Sequence, residues 1–180
     1  MTIDQKRIAF TAAVLLQFVI LTIIAMPRAF TLSDGRVITI QTEPWDPWDM
    51  FRGDYVQLHF GFTQVNPRLA SETLQKNDLV FVLLKRGHEN DMKWIPKSVS
   101  KKPPVCGSDE VALIARVEYA TTETVNLSYG IERVFIPEGT GKEVKPSDRM
   151  ELDVAVDRNG NAVTKELRWK NKKLFEWRWF

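Results

Sequence analysis

The sequence predicts a mainly β protein, in which an N-terminal transmembrane α-helix is followed by one antiparallel β-barrel or sandwich-like domain. Three observations predict this fold class. One uncharged apolar run lies near the N-terminus, the rest of the chain alternates apolar and polar residues, and Gly, Pro, Asn and Asp interrupt that alternation. With 180 residues, the chain has room for one hydrophobic core beside the anchor.

The first element is the apolar run from Ile8 to Met26, which carries no charged side chain. As an α-helix the run would cover about 28 Å, close to the roughly 30 Å hydrocarbon core of a bilayer. Lys6 and Arg7 precede it, and this positive charge favours a cytoplasmic N-terminus. We therefore expect a cytoplasmic segment over 1–7, a helix through the cytoplasmic (inner) membrane over 8–26, and a periplasmic or extracellular domain over 27–180. The lipid bilayer is then one partner, contacted through residues 8–26.

A cleaved signal peptide is the alternative interpretation of the same run. Cleavage requires a shorter apolar region that ends in small residues. Here Met26, Pro27 and Arg28 follow a long Ile-rich segment without a clean A-x-A pattern. The sequence therefore favours a retained anchor, and it leaves later cleavage open.

The balance of charge argues against a nucleic acid partner. Lys and Arg total 25 against 23 Asp and Glu, without the basic excess that phosphate backbones attract. Cys106 is the single cysteine, so no intramolecular disulfide can form. The two histidines lie in unrelated contexts and give no zinc-ligand pattern. The sequence predicts neither a metal nor another cofactor.

The rest of the chain is predicted to form ten strands, because apolar residues recur with a period of two or in short β-branched runs. Short helical turns are predicted in two connectors, one of them after the helix-start signal Asn66-Pro67. The predicted strands are Val37–Gln41, Tyr55–Gln64, Leu79–Lys85, Lys93–Ser98, Glu110–Tyr119, Thr124–Tyr129, Arg133–Pro137, Met150–Asp157, Ala162–Trp169 and Leu174–Trp179, and the turns are Pro67–Gln75 and Lys145–Arg149.

The clearest connection is a hairpin closed by Asn159-Gly160, which we predict to be a two-residue turn with positive φ angles. Side chains alternate between the two faces of a strand, so the first arm should have one buried face and one solvated face. The predicted buried side chains are Leu152, Val154 and Val156, and the predicted solvated ones are Asp153 and Asp157.

The most distinctive stretch runs from Pro44 to Phe60 and joins a turn rich in Pro, Trp and Asp to a strand. From Gly53 onward, the residues GDYVQLHF resemble the motif of the GDYxxLxY family, uncharacterised bacterial proteins that commonly begin with a hydrophobic anchor. Phe60 replaces the last tyrosine of the motif, so any hydrogen bond made by that hydroxyl in the family is absent here. Arg133–Gly141, with the sequence RVFIPEGTG, resembles the family's later fVPEGxG segment, and Val154–Leu167 resembles its closing hairpin.

The resemblance implies no established biochemical activity. It implies a multi-pass membrane protein as a partner, because members of the family resemble products of operons that also encode one. Two function classes stay open: a non-catalytic binding or accessory module for a membrane protein partner, and a signal-peptidase-like hydrolase domain, active or decayed. In the hydrolase alternative Lys85 would be the base, but residues 44–52 contain no Ser, Thr or Cys to act as the nucleophile.

Two loops are the predicted contact surface of the domain. The first carries several carboxylates, but their spacing matches no standard calcium loop, so turn and capping roles explain them better than a metal. The second is a tight turn with two glycines and lacks the spacing of a phosphate-binding loop. The candidate binding residues are Asp46, Asp49, Arg52, Gly53, Asp54 and Tyr55 in the first segment and Glu138, Gly139 and Gly141 in the second.

The C-terminal tail alternates aromatic residues with Leu, Glu and Arg, which would place three rings on one face of a strand. These rings could close the core as the last strand. Alternatively, Trp177, Trp179 and Phe180 contact the membrane or a partner, since amphipathic aromatic side chains favour such interfaces.

Overall fold

A computed structural model of the chain describes residues 3–43, 55–87, 93–137, 148–170 and 172–177. The predicted fold class is confirmed: strands make up 44% of the protein, and one N-terminal apolar helix is followed by a curled antiparallel sheet that forms a half-barrel. The elements are α1 (Ile3–Asp34), β1 (Arg36–Gln41), β2 (Tyr55–Gln57), β3 (Gln64–Val65), β4 (Leu79–Arg86), β5 (Trp94–Ser100), β6 (Glu110–Ala120), β7 (Val125–Ser128), β8 (Arg133–Phe135), β9 (Glu151–Val156), β10 (Ala162–Trp169) and β11 (Lys172–Glu176).

The described strands pair in three groups, and each pairing between neighbouring strands is antiparallel. One sheet has the order β1-β9-β10-β11, a second has the order β3-β7-β6-β4-β5, and β2 pairs with β8. Hydrogen bonds join the two larger sheets, and one of them runs from the Arg36 guanidinium of β1 to the Glu110 carbonyl of β6 at 3.0 Å. The Ile114 amide donates to the Gly160 carbonyl at 2.8 Å, and the Trp94 indole donates to the Thr39 carbonyl at 2.9 Å. These contacts curl the strands around one core.

Helix α1 ends at Asp34 and is eight residues longer at its C-terminus than the predicted span. Its segment Gln5–Asp34 is long and apolar enough to cross a membrane. Pro27 lies inside the helix, where a sequence-based boundary would normally be drawn. The helix continues because its last turns pack on β9 and β10, and Leu32 is buried there.

The predicted strand Tyr55–Gln64 is interrupted. A turn over residues 61–63 separates β2 from β3, and the Thr63 amide donates to the Phe60 carbonyl at 3.0 Å. The alternation predicted from sequence is nevertheless present on either side of the bend. The side chains that point into the core are Val56, Leu58, Phe60 and Phe62, each at most 3% exposed.

The hairpin between β9 and β10 has the predicted buried face, but its turn differs from the prediction. Leu152, Val154 and Val156 are all buried. The loop holds three residues, 158–160, because the Asp157 amide pairs with the Asn161 carbonyl. Among the residues of this loop only Gly160 has a positive φ, of 85°. This arrangement is a three-residue hairpin with its glycine in the left-handed region, rather than a two-residue turn.

The solvated face of β9 carries the predicted Asp153. Its carboxylate accepts hydrogen bonds from the Thr39 hydroxyl at 2.7 Å and from the Arg168 guanidinium at 2.5 Å. Partial burial would raise the pKa of Asp153, but these hydrogen bonds and the positive charge of Arg168 hold it below its ordinary value. Polar side-chain contacts therefore connect β1, β9 and β10 on the outer face of this sheet.

The connectors agree with the predictions in part. A short 3₁₀ turn spans Pro67–Leu69, and the Asn66 side chain caps it by accepting a hydrogen bond from the Arg68 amide at 2.9 Å. The helical turn is shorter than the predicted Pro67–Gln75. Of the other predicted turn, Lys145–Arg149, the first three residues lie outside the described residues, and the last two belong to no helix.

Candidate functional site

The described part of the sequence motif, from Tyr55 to Phe60, forms the seam of the half-barrel. We call this segment, which comprises β2 and the three residues that follow it, the motif strand. The Leu58 amide donates to the Glu132 carbonyl at 2.7 Å on one side, and the His59 carbonyl accepts from the Glu43 amide at 2.9 Å on the other. The motif strand therefore joins the ribbon β2-β8 to the end of β1.

The inner face of the motif strand packs against aromatic rings. Phe60 stacks on Phe62 with ring centroids 5.4 Å apart, and Phe62 meets Tyr129 edge-on at 5.1 Å. Such pairs add roughly 0.5–1.5 kcal/mol each beyond the burial of their area. The apolar positions of the motif are thus positions of the core, which explains their residue types without catalysis.

Tyr129 is a buried core residue that the sequence did not single out. Its hydroxyl donates to the Phe62 carbonyl at 2.8 Å, and its side chain is buried. Burial raises the pKa of Tyr129 well above its ordinary value, and the negative charge of Glu132 adds to the rise. The phenol therefore stays protonated and keeps its hydrogen bond. The sequence signal for it was a lone aromatic at the end of a strand, which does not reveal a partner 67 residues away.

The outer face of the same seam carries a polar cleft of about 370 Å³, which we call the His59 cleft. Burial lowers the pKa of His59, and the negative charges of Glu132 and Glu43 oppose this shift without reversing it. The imidazole is therefore mostly neutral near pH 7. The cleft is lined by Gln57, Leu58, His59, Thr63, Glu118, Asn126, Leu127, Ser128, Gly130, Glu132 and Arg133.

The chemistry of the His59 cleft is that of polar recognition. It combines an imidazole, two carboxylates, a guanidinium, amides and hydroxyls, and one buried acceptor, the Asn126 side-chain oxygen, has no hydrogen-bond partner among the described residues. In the part of the chain that the structure describes, no three His, Cys, Asp or Glu side chains are grouped to hold a metal ion.

Lys85, the base of the hydrolase alternative, lies elsewhere in the fold. It is exposed on β4, and its cross-strand neighbours are Ile95 and Glu110. Neither neighbour is a nucleophile, and Lys85 does not line the His59 cleft. The described residues around Lys85 therefore provide no Ser/Lys pair.

Most of the predicted contact surface lies outside the described residues. This applies to Asp46, Asp49, Arg52, Gly53, Asp54, Glu138, Gly139 and Gly141. The described strand ends that border the two predicted segments are, however, adjacent: Tyr55 is paired with Phe135 in the antiparallel register of β2 and β8. Phe135 is 71% exposed. An exposed aromatic side chain therefore marks the point from which both segments continue.

The tail is described as far as Trp177, whereas Trp179 and Phe180 lie outside the described residues. Leu174 of β11 supplies the buried contact to the core, and the Trp177 ring is 47% exposed. The Trp177 amide donates to the Lys165 carbonyl at 2.8 Å. Because β11 runs antiparallel to β10, the chain at Trp177 is heading toward the end of β10 that α1 contacts.

The junction between α1 and the sheet is closely packed. The Thr31 hydroxyl donates to the Pro27 carbonyl at 3.0 Å and to the Asp157 carboxylate at 3.2 Å. The Gly35 amide donates to the Thr31 carbonyl at 3.0 Å. A Cβ atom on Gly35 would lie 2.3 Å from that carbonyl oxygen, so only glycine fits. The helix is therefore joined to the sheet without a linker.

A family model described as GDYXXLXY protein matches residues 17–167, from the middle of α1 to β10. No curated protein and no solved structure matches the chain.

Proposed function

The chain belongs to the GDYXXLXY family, and from this premise we propose that it is a single-pass, membrane-anchored envelope protein that acts as a non-catalytic accessory module for a membrane protein partner. The observation that carries the proposal is the role of the family motif. Its apolar residues Val56, Leu58 and Phe60 are buried in the core, and the backbone hydrogen bonds of the motif strand join β8 to the end of β1. A motif used in this way maintains a scaffold that presents its loops.

The anchor supports the same function. Helix α1 continues without a break from its apolar run into the contacts with β9 and β10. A domain joined in this way keeps a fixed orientation above the bilayer. A module that contacts the exposed surface of a neighbouring membrane protein needs such an orientation. The proposed location is the cytoplasmic membrane, with the β-domain in the periplasm or outside the cell.

The proposed contact surface comprises the two segments that border the Tyr55–Phe135 pair. Phe135 is a large apolar side chain that remains 71% exposed, and aromatic residues are enriched at the centres of protein interfaces. A multi-pass membrane protein is the proposed partner, and the His59 cleft offers polar groups beside the same ribbon.

A photocrosslinking experiment tests this function. A photoreactive amino acid replaces Phe135 in the full-length protein, and a matched variant carries it at Val105, which is 95% exposed in the connection before β6. In native membranes we expect an adduct with one protein that has several membrane spans from position 135 only. Adducts of equal yield at both positions, or none at position 135, would contradict the proposal.

A further inference from the structure

We propose that the groove between the end of α1 and the start of β10 binds the headgroup of a phospholipid, with the lipid phosphate on Arg28. This inference rests on the membrane anchoring proposed above. The groove, which we call the anchor groove, has a volume of about 260 Å³. That lies just below the roughly 300 Å³ at which pockets for whole small ligands begin, so it suits a headgroup. Its lining residues are Pro27, Arg28, Thr31, Ile114, Tyr129, Asn161, Ala162 and Val163.

The anchor groove lies at the depth of the headgroup layer. The apolar run ends at Met26, and a helix rises 1.5 Å per residue, so Arg28 and Thr31 lie about 3 Å and about 8 Å beyond it. The polar layer of a bilayer is about 5–8 Å thick on each side of the hydrocarbon core. The two polar side chains that α1 contributes to the groove therefore span this layer.

Arg28 has the chemistry that a phosphate requires. Its side chain is exposed, and it makes no hydrogen bond or ion pair with any residue that the structure describes. A guanidinium presents several donors in a planar arrangement that matches two phosphate oxygens. By contrast, Arg36 at the start of β1 already donates to the Ser108 and Glu110 carbonyls.

The acidic residue beside the groove favours a single negative charge on the ligand. Asp157 accepts hydrogen bonds from the Asn159 and Asn161 amides, the Asn161 side chain and the Thr31 hydroxyl, and it does not line the groove. Partial burial would raise its pKa, but these hydrogen bonds lower it, so the group is ionised. Its charge disfavours a phosphomonoester with two charges relative to a phosphodiester with one.

The other walls suit the glycerol and the first acyl carbons. Ile114, Ala162 and Val163 line the sheet side of the groove. Below it, the exposed side chain of Ile24 lies seven residues before Thr31, hence on the same face of the helix, and continues that face into the apolar run. A phospholipid can thus place its headgroup between helix and sheet while its chains follow α1 in the hydrocarbon.

The test measures lipid retention by native mass spectrometry. Full-length protein is reconstituted in nanodiscs of phosphatidylethanolamine and phosphatidylglycerol and then released into the gas phase. We expect one retained phospholipid on the wild type and at least a fivefold lower occupancy in the R28Q and A162W variants, the first removing the cation and the second filling the groove. The control is R7Q, which removes an arginine next to the other end of the same apolar run.

Several outcomes would overturn the lipid site. They are unchanged retention in R28Q, an equal loss in R7Q and R28Q, which indicates general attraction to interfacial arginine, and displacement of the lipid by millimolar inorganic phosphate. Extraction with alkaline carbonate separates this failure from failure of the proposed function. Release of the wild type by carbonate would refute the anchoring itself, whereas an anchored protein with unchanged R28Q retention refutes only the lipid site.

Discussion

At the residue scale, the buried hydroxyl of Tyr129 links the turn that follows the motif strand, over residues 61–63, to the chain that follows β7. Its hydrogen bond to the Phe62 carbonyl lies among aromatic rings, where neither group can form a hydrogen bond with water instead. A buried carbonyl that loses its donor costs about 1–3 kcal/mol. The hydroxyl therefore contributes to the free energy of unfolding through the carbonyl that it satisfies.

We expect Y129F to lower the free energy of unfolding by about 1–3 kcal/mol. Chemical denaturation of the full-length protein in detergent measures this change in the free energy of unfolding. The matched control is Y119F, since Tyr119 is 43% exposed and loses only a solvated hydroxyl. Equal stability of the two variants would show that the buried hydrogen bond contributes nothing.

The raised pKa of Tyr129 predicts a loss of stability at alkaline pH. The unfolded chain releases the phenolic proton near pH 10, whereas the folded chain retains it because burial raises the pKa. This contribution is complete below about pH 10 and falls above it by about 1.4 kcal/mol per pH unit. We expect the stability difference between wild type and Y129F to shrink over that range. A constant difference from pH 8 to pH 11 would argue against the burial of this group.

At the element scale, the hairpin between β9 and β10 holds the two larger sheets together at Gly160. The residue has a φ of 85°, and a Cβ atom there would lie 3.2 Å from the Ala112 carbonyl oxygen. Gly130 has a φ of 77° but has open space around its Cβ position. The two glycines thus share backbone conformation and differ in contact.

We expect G160A to destabilise the domain by at least about 1 kcal/mol more than G130A. Both substitutions force alanine into the left-handed region, at a cost of roughly 1–2 kcal/mol, but only G160A also presses on β6. Thermal unfolding of both variants measures the difference. Equal costs would mean that the hairpin can move away from β6 freely.

The close packing at the junction between α1 and the sheet can be tested by a substitution at Gly35. We expect G35A to cost about 1–3 kcal/mol, because its new Cβ atom meets the Thr31 backbone rather than a movable side chain. The control is G107A, where the nearest atom belongs to the flexible Glu110 side chain at 3.3 Å. Unfolding curves of the two variants in detergent measure the difference in their free energies of unfolding. If G35A were as stable as the wild type, the junction would be loosely packed.

At the scale of the whole molecule, the direction of the strands distinguishes the two ends of the domain. The Val156 end of β9 and the Ala162 end of β10 lie at α1, so the backbone at Trp177 lies closer to the helix end of the domain than the start of β11 does. Arg149 is exposed just before β9 and belongs to the opposite end. If the helix spans the bilayer, these two positions differ in their distance from the lipid.

We expect a fluorophore at position 177 to be quenched by headgroup-labelled lipids, and one at position 149 to be unaffected. The labels are attached to single cysteines, after the exposed Cys106 has been replaced by serine. Quenching in liposomes that contain the full-length protein provides the measurement. Similar quenching at both positions would place the domain on its side and remove the basis for a membrane contact at Trp177.

The sequence alone predicted a large part of this protein. The alternation of apolar and polar residues predicted the bounds of β10 and the buried face of β9 correctly. Side chains alternate between the two faces of any strand, whatever its partners are. The uncharged run near the N-terminus predicted the helix, since length and composition suffice for that judgement. The residues GDYVQLHF identified the family.

The tertiary structure decided what depends on contacts between distant segments. Helix α1 passes Pro27 because β9 and β10 cover its last turns, and the hairpin takes a three-residue loop because Gly160 must approach β6. The packing of Tyr129 on Phe62 and the groove that Arg28 lines together with β10 also depend on residues far apart in sequence. Local patterns record the preference of each segment, whereas these features arise from free energy that is gained only when separate segments pack together.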